Sequence, residues 1–140
     1  MSAPLIAALC FTSILLVTTA YFLMGSVPLL ILEHDTPMDA RFVRRFFDVY
    51  YTTALFAAGA TALSYALAGR VAFAALGAGL ALLATALRRT VIPKMEALGA
   101  QIQSGAAGAV RAFRQLHGMA IAINLAQLVV VVWSLIVNVR

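Results

Sequence analysis

Residues 114–140, RQLHGMAIAINLAQLVVVVWSLIVNVR, decide the fold class of this chain. No charged residue stands between Arg114 and Arg140. A helix rises 1.5 Å per residue, so about 20 such residues cross a hydrocarbon core of about 30 Å. Three further stretches have the same character. We therefore predict helical spans over residues 5–32, 47–68, 71–90 and 116–138.

The overall composition agrees with a membrane protein. Of the 140 residues, 64% are apolar and 11% are charged, and the mean hydropathy is +0.99. An ordinary soluble domain has about 45–50% apolar and about 25% charged residues. No segment has the period of a strand, and Cys10 has no partner for an intramolecular disulfide. We predict a single all-α domain, an integral membrane four-helix bundle with a cytoplasmic helical extension between helices three and four.

Short motifs predict where the helices begin and end. Thr36 or Asp35 can cap a helix that starts at Pro37. Residues 68–70 are too few to do more than join two antiparallel helices, so helices two and three should form a hairpin. The glycine-containing stretch 104–108 favours a break before the last helix.

The basic residues are distributed unevenly between the loops. Loops one and three hold eight of the ten, namely Arg41, Arg44, Arg45, Arg88, Arg89, Lys94, Arg111 and Arg114. Arg70 and Arg140 fall on the other side. Because cytoplasmic loops carry the excess of Lys and Arg, we place both loops in the cytoplasm and both termini outside, in a bacterial inner membrane. Membrane topology thus accounts for the net charge of +5, and we expect the lipid bilayer rather than nucleic acid as partner.

The fourth segment carries a polar stripe. His117, Asn124, Val131 and Asn138 recur every seven residues, with Ala120, Gln127 and Ser134 beside them. Such groups must face protein or water, either as hydrogen bonds between helices or as the lining of a path for a small molecule or ion. In an antiparallel bundle the start of helix two lies at the depth of His117. We predict that one cytoplasm-facing ligand site is lined by His117, Asn124, Gln127, Asp48 and Tyr51.

Two other clusters favour structural roles. Glu33, His34 and Asp35 have side chains that bind metals, and helix packing could bring His117 near them, but consecutive residues point in different directions. We interpret this segment as a solvated loop and predict neither a metal, nor haem, nor another cofactor. Asp48 is expected to pair with Arg44 on its own helix, or with Arg111 or Arg114 of the other cytoplasmic loop. The aromatic and arginine residues around it, RFVRRFFDVYY at 41–51, are typical of an interfacial anchor.

Small residues spaced four apart predict close helix contacts. Ala60 with Ser64, and Gly77 with Ala81, form such pairs. A bundle this small can bury only part of this surface within itself. We therefore expect either a homo-oligomer or a place in a larger membrane complex.

The third loop and the last helix carry a recognisable pattern, VIPKMEAL at 91–98 followed by AFRQLHGMAIAINLAQLVVVVWSL at 112–135. The chain resembles a bacterial four-helix membrane family of unknown function, related to the eukaryotic transmembrane protein associated with cisplatin resistance. The matching residues are Pro93, Leu98, Phe113, Leu116, His117, Asn124 and Leu125, with looser agreement at Gly25, Pro28, Tyr50 and Tyr51. Ala120 or Ile121 stands where the family has serine. The resemblance implies four helices and a functional pair of His117 with Asn124, but no activity.

Function is less determined than fold. No nucleophile elbow, P-loop, dinucleotide fingerprint or zincin motif is present in the sequence. We expect a non-enzymatic membrane protein that binds or transports a small amphipathic molecule or cation through a polar, cytoplasm-facing cavity. The alternatives are an accessory subunit that packs against a larger respiratory or photosynthetic complex and, third, a membrane enzyme.

Overall fold

The computed structural model describes residues 1–139, and this part of the chain contains four α-helices and no strand. The helices are α1 (Ala3–Leu29), α2 (Pro37–Leu67), α3 (Val71–Gln103) and α4 (Ala109–Val139). The predicted all-α, four-helix fold is confirmed. Arg140, which was counted on the side opposite the basic loops, lies outside the described residues.

The helix ends follow the predicted signals. Thr36 caps α2, since its Oγ1 accepts a hydrogen bond from the Asp39 amide at 3.2 Å. The link between α2 and α3 needs only three residues because Gly69 adopts a left-handed conformation with φ of 73°. Two more left-handed glycines, Gly105 and Gly108, make the break between α3 and α4.

The helices pack in the cyclic order α1, α2, α3, α4, with α4 closing against α1. Consequently α2 and α4 stand diagonally across the bundle. The most extensive contact is the α2–α3 hairpin, where the two backbones come close at Gly77 and Ala62. Farther from the turn, α3 continues to Gln103 as the predicted extension and remains paired with the first half of α2.

Three helices, α1, α3 and α4, are long and apolar enough to cross a membrane. The second helix is less apolar, because charged residues fill its first turns and tyrosines and threonines follow them. Many large apolar side chains lie on the outside of the bundle, as expected where helices face lipid tails. Those more than half exposed include Val17, Tyr21, Met24, Phe56, Leu63, Leu82, Leu125 and Val129.

Candidate functional site

Two polar stripes face each other inside the bundle. The stripe of α4 contains His117, Asn124, Gln127 and Ser134, all buried. A second stripe runs along α1, where Thr12, Thr19 and Ser26 recur every seven residues and are also buried. This spacing is visible in the sequence, although the α1 stripe was not among the predicted site residues. The two stripes bring most of the buried polar side chains to one helix interface.

Three side chains of the two stripes and two tyrosines of α2 form a closed hydrogen-bonded cluster, which we call the polar cluster. Its members are Thr19 of α1, Tyr50 and Tyr51 of α2, and Asn124 and Gln127 of α4. Each is at most 5% exposed. The cluster joins the diagonal helices α2 and α4 through long side chains that meet at the bundle centre.

Asn124 is the centre of this cluster. Its Oδ1 accepts a hydrogen bond from the Tyr50 hydroxyl at 2.9 Å. Its Nδ2 donates to the Ala120 carbonyl at 2.7 Å and lies 3.4 Å from the Tyr51 hydroxyl. The amide of Asn124 is therefore satisfied on both sides.

Gln127 completes the cluster one turn further along α4. Its Nε2 lies 3.3 Å from both the Tyr50 hydroxyl and Thr19 Oγ1. Thr19 in turn donates to the Leu15 carbonyl of its own helix at 2.8 Å. The side chains fill the space between the helices, so the cluster is a set of satisfied polar groups that bond to one another.

An aromatic layer separates this cluster from a pair of histidines. Phe22 stacks on Tyr50 with ring centroids 3.9 Å apart, and Phe47 meets Phe22 edge to face at 4.8 Å. On its other side Phe47 packs against the His117 ring at 5.0 Å. The imidazole of His117 therefore lies beyond the aromatic layer, nearer the loop that joins α1 and α2.

His117 faces His34 in a contact from which water is excluded. His117 Nδ1 and His34 Nε2 are 3.4 Å apart, and neither residue is exposed. This separation is long for a direct hydrogen bond, whose usual range ends near 3.2 Å. Among the described residues the outer nitrogens, His34 Nδ1 and His117 Nε2, make no hydrogen bond of good geometry, and the polar groups near them are the Leu32 and Ser26 backbones. The four imidazole nitrogens are thus buried with only weak polar contacts.

The burial of His34 corrects the interpretation of residues 33–35 as a solvated loop. Glu33 and Asp35 are exposed as expected, but His34 is fully buried between Phe113 and His117. Its backbone adopts a left-handed conformation with φ of 56°, which turns the side chain away from its two neighbours and into the bundle. That conformation costs a non-glycine residue about 1–2 kcal/mol, so the packing around the ring must hold it.

The structure does not bring Asp48 to the other predicted site residues. His117, Asn124, Gln127 and Tyr51 lie in the bundle interior, whereas Asp48 lies at the partly exposed α2–α3 surface. Asp48 Oδ1 accepts a hydrogen bond from Arg88 Nε at 2.8 Å, so its partner is none of the three predicted arginines, Arg44, Arg111 and Arg114. Arg44 instead lies 3.9 Å from Glu96. The reason is rotation along α2: Phe47 takes the inward position toward His117, and the next residue turns toward α3.

The electrostatics of His34 predict a pH dependence of stability. Burial lowers the pKa of His34 below its ordinary value of 6.5. A backbone contact with Leu32 raises the pKa and so opposes this shift. The positive charge of Arg114 lowers the pKa further, and the negative charge of Asp39 raises it by a smaller amount. As the pH falls through about 6.5, His34 becomes protonated in the unfolded chain, whereas in the folded chain it stays neutral to a lower pH. The free energy of unfolding should therefore fall as the pH drops below about 6.5 and be insensitive to this group above it.

Thermal unfolding of the metal-free protein in mild detergent, between pH 8 and pH 5, measures this effect. We expect the midpoint to fall on the acid side and the fall to be smaller in His34→Gln. Glu33→Gln, an exposed neighbour in the same loop, is the matched control and should retain the wild-type slope. An equal acid slope in His34→Gln would contradict the assignment.

The site offers two imidazole ligands for a cation. In residues 1–139 there is no group of three or more His, Cys, Asp and Glu side chains that could hold a metal ion. The described part of the chain therefore supplies two ligands, the two imidazoles, and any further ligands must be bound to the ion when it enters.

The chain was compared with protein-family models, with curated proteins and with solved structures. The resemblance of its last helix to the four-helix membrane family stays a prediction. None of the three comparisons finds a match to this chain.

Proposed function

We propose that this chain is an integral membrane protein that binds a small cation at the His34–His117 pair. The observation that carries the proposal is the fully buried pair of imidazoles whose facing nitrogens are 3.4 Å apart. An unsatisfied buried polar atom costs about 1–3 kcal/mol, and the outer nitrogen of each ring makes no hydrogen bond of good geometry. The left-handed backbone of His34 adds to this cost, and a cation bound between the two rings would offset it.

The spacing suits a late transition metal ion. Imidazole nitrogen binds zinc, copper, nickel and iron, and two nitrogens at about 2.0–2.1 Å from a tetrahedral zinc ion lie about 3.3–3.4 Å from each other. The facing nitrogens already have this separation. In the neutral state that burial favours for His34, its ring is free to act as a ligand.

A site with two protein ligands favours an ion that exchanges. Structural zinc sites use four protein ligands, whereas sites that leave positions open admit water or substrate. Because the two imidazoles are buried away from water, the ligands for the remaining positions would have to enter together with the ion. The proposal is therefore a binding or transport site for a cation as cargo.

The orientation is part of the proposal. The eight basic residues of loops one and three would place the His34 end of the bundle in the cytoplasm, with both termini outside a bacterial inner membrane. We propose that α2 crosses the membrane together with the three more apolar helices, because three residues join it to α3 and it packs between α1 and α3. The histidine pair would then receive its cation from the cytoplasmic side.

Titration of the purified protein with Zn²⁺ in mild detergent, read by native mass spectrometry, tests the site. We expect one bound zinc ion per chain in the wild type and at least a tenfold loss of affinity in His34→Gln and in His117→Gln. Glu33→Gln should bind zinc like the wild type, since its side chain is exposed. Zinc uptake into proteoliposomes then separates transport from binding alone.

Two results would overturn the cation site. One is the absence of zinc, copper and nickel binding to the folded wild type. The other is full binding by both histidine variants. Native mass spectrometry directly from membranes addresses the alternatives in the same sample, because an accessory subunit would be released with stoichiometric protein partners and an enzyme with its cofactor or substrate.

A further inference from the structure

A second site lies on the outer face of the bundle, where the end of α1 meets the start of α4. Here a groove of about 730 Å³ opens to the surroundings. Arg111, Arg114 and Gln115 form its polar part, and Leu30, Val110 and Gly118 form its apolar part. The groove is separate from the histidine pair, which is buried behind it on the inner face of α4.

The two arginines of the groove have no acidic partner. In residues 1–139 the carboxylates in ion pairs are Asp48 and Glu96, and both pair with other arginines. Arg114 Nη2 lies 3.4 Å from the Leu30 carbonyl, which holds its guanidinium over the groove. Arg111 also lies in the first turn of α4, where amide N–H groups lack intrahelical acceptors and the helix dipole favours an anion. Both features attract a negatively charged group.

The apolar part of the groove continues along α4 toward the membrane interior. Gly118 lines the groove, and a Cβ atom added there would meet nothing within 4 Å. Because glycine has no side chain, the helix surface has an open dip at this position, which we call the furrow. One turn further Ala122 is exposed, and Leu125 and Val129 continue the same exposed strip. Two arginines are thus followed along one face of α4 by an apolar strip. A phospholipid has the same arrangement, with an anionic phosphate headgroup followed by an acyl chain.

We propose that this groove binds an anionic phospholipid, with its phosphate on Arg111 and Arg114 and one acyl chain over Gly118. Guanidinium groups match phosphate oxygens in a bidentate geometry, and Gln115 can donate a further hydrogen bond to the headgroup. The lipid would tie the first turns of α4 to the end of α1, beside the loop that carries His34. This proposal is independent of the cation site.

Native mass spectrometry of the full chain in mild detergent, with added phosphatidylglycerol or phosphatidylcholine, tests the lipid site. We expect phosphatidylglycerol to be retained in preference to phosphatidylcholine. Each arginine near an anionic headgroup contributes about fivefold in affinity, so Arg111→Gln with Arg114→Gln should weaken retention about 25-fold. Gly118→Leu, which fills the furrow without changing charge, should also reduce retention.

Matched controls distinguish a site from general attraction. Arg45→Gln with Arg89→Gln removes the same charge from exposed arginines outside the groove and should leave lipid retention unchanged. Gly79→Leu, at another open glycine, controls for Gly118→Leu. Equal loss in the control pair, or equal retention of both lipids, would overturn the proposal. Displacement of the lipid by inorganic phosphate, with no effect of Gly118→Leu, would assign the groove to a free anion instead.

Discussion

Replacing Asn124 with leucine is expected to lower the free energy of unfolding by about 2–4 kcal/mol. Leucine has the same branching at Cγ as asparagine, with larger terminal groups, but removes the acceptor for Tyr50, the donor to the Ala120 carbonyl and the group nearest the Tyr51 hydroxyl. A hydrogen bond between membrane helices contributes about 0.6–1.7 kcal/mol, and a buried group that loses its partner adds about 1–3 kcal/mol. Titration with a denaturing detergent, followed by circular dichroism, measures the change.

A double-mutant cycle identifies the source of the loss. If the unpaired Tyr51 hydroxyl contributes, Tyr51→Phe should cost less in the Asn124→Leu background than in the wild type. Asn138→Leu is the matched control, because within residues 1–139 the Asn138 side chain donates to Ser134 of its own helix and makes no hydrogen bond to another helix. Equal losses in Asn124→Leu and Asn138→Leu would show that the polar cluster does not stabilise the bundle.

Replacing Gly77 with leucine is expected to cost about 3 kcal/mol or more and to separate α2 from α3. A Cβ atom at Gly77 would lie 2.9 Å from the Ala62 nitrogen and 3.0 Å from the Ala62 Cα. Those are backbone atoms of the facing helix, which cannot rotate away as a side chain can. Overpacking of this kind costs about 1–3 kcal/mol even for small additions, so Gly77→Ala should fall between leucine and the wild type.

Gly79 lies two residues away on the same helix and provides the comparison. A Cβ atom there meets nothing within 4 Å, and alanine is about 1 kcal/mol better than glycine in a helix interior. Gly79→Ala should therefore leave stability unchanged or raise it, and Gly79→Leu should be tolerated. The same detergent titration applies to both positions. If Gly77→Leu and Gly79→Leu behaved alike, close backbone contact at Gly77 would not hold the hairpin together.

Parts of the candidate site follow from periodicity, and parts do not. The seven-residue spacing of His117 and Asn124 places them on one face of a helix whatever surrounds it, and a polar face in an apolar helix must turn inward. Tyr51 and Gln127 follow by depth and spacing. Asp48 was placed in the site only because it lies at the same depth as His117. The direction of its side chain depends on which residue of α2 points into the bundle, and that residue is Phe47.

The sequence allowed His117 to approach residues 33–35, but it did not determine that the His34 ring would be the one to turn inward. His34 belongs to a loop, and loops have no period from which a direction can be inferred. Its burial depends on one left-handed backbone angle and on the packing of Phe113 and His117, which come from the other end of the chain. Thr19 is a different case, because its seven-residue spacing from Thr12 and Ser26 was present in α1 all along.

The sequence by itself determined the fold class, the helix boundaries at Thr36, Gly69 and the 104–108 break, and the inward polar face of α4. These features are local: apolar length, caps, left-handed glycines and helical period act within a few residues or one helix. Only the tertiary structure decided that α2 and α4 stand diagonally, that Asn124 meets two tyrosines between them, and that His34 folds in against His117. Those contacts join residues more than 70 positions apart, and their geometry depends on how whole helices pack.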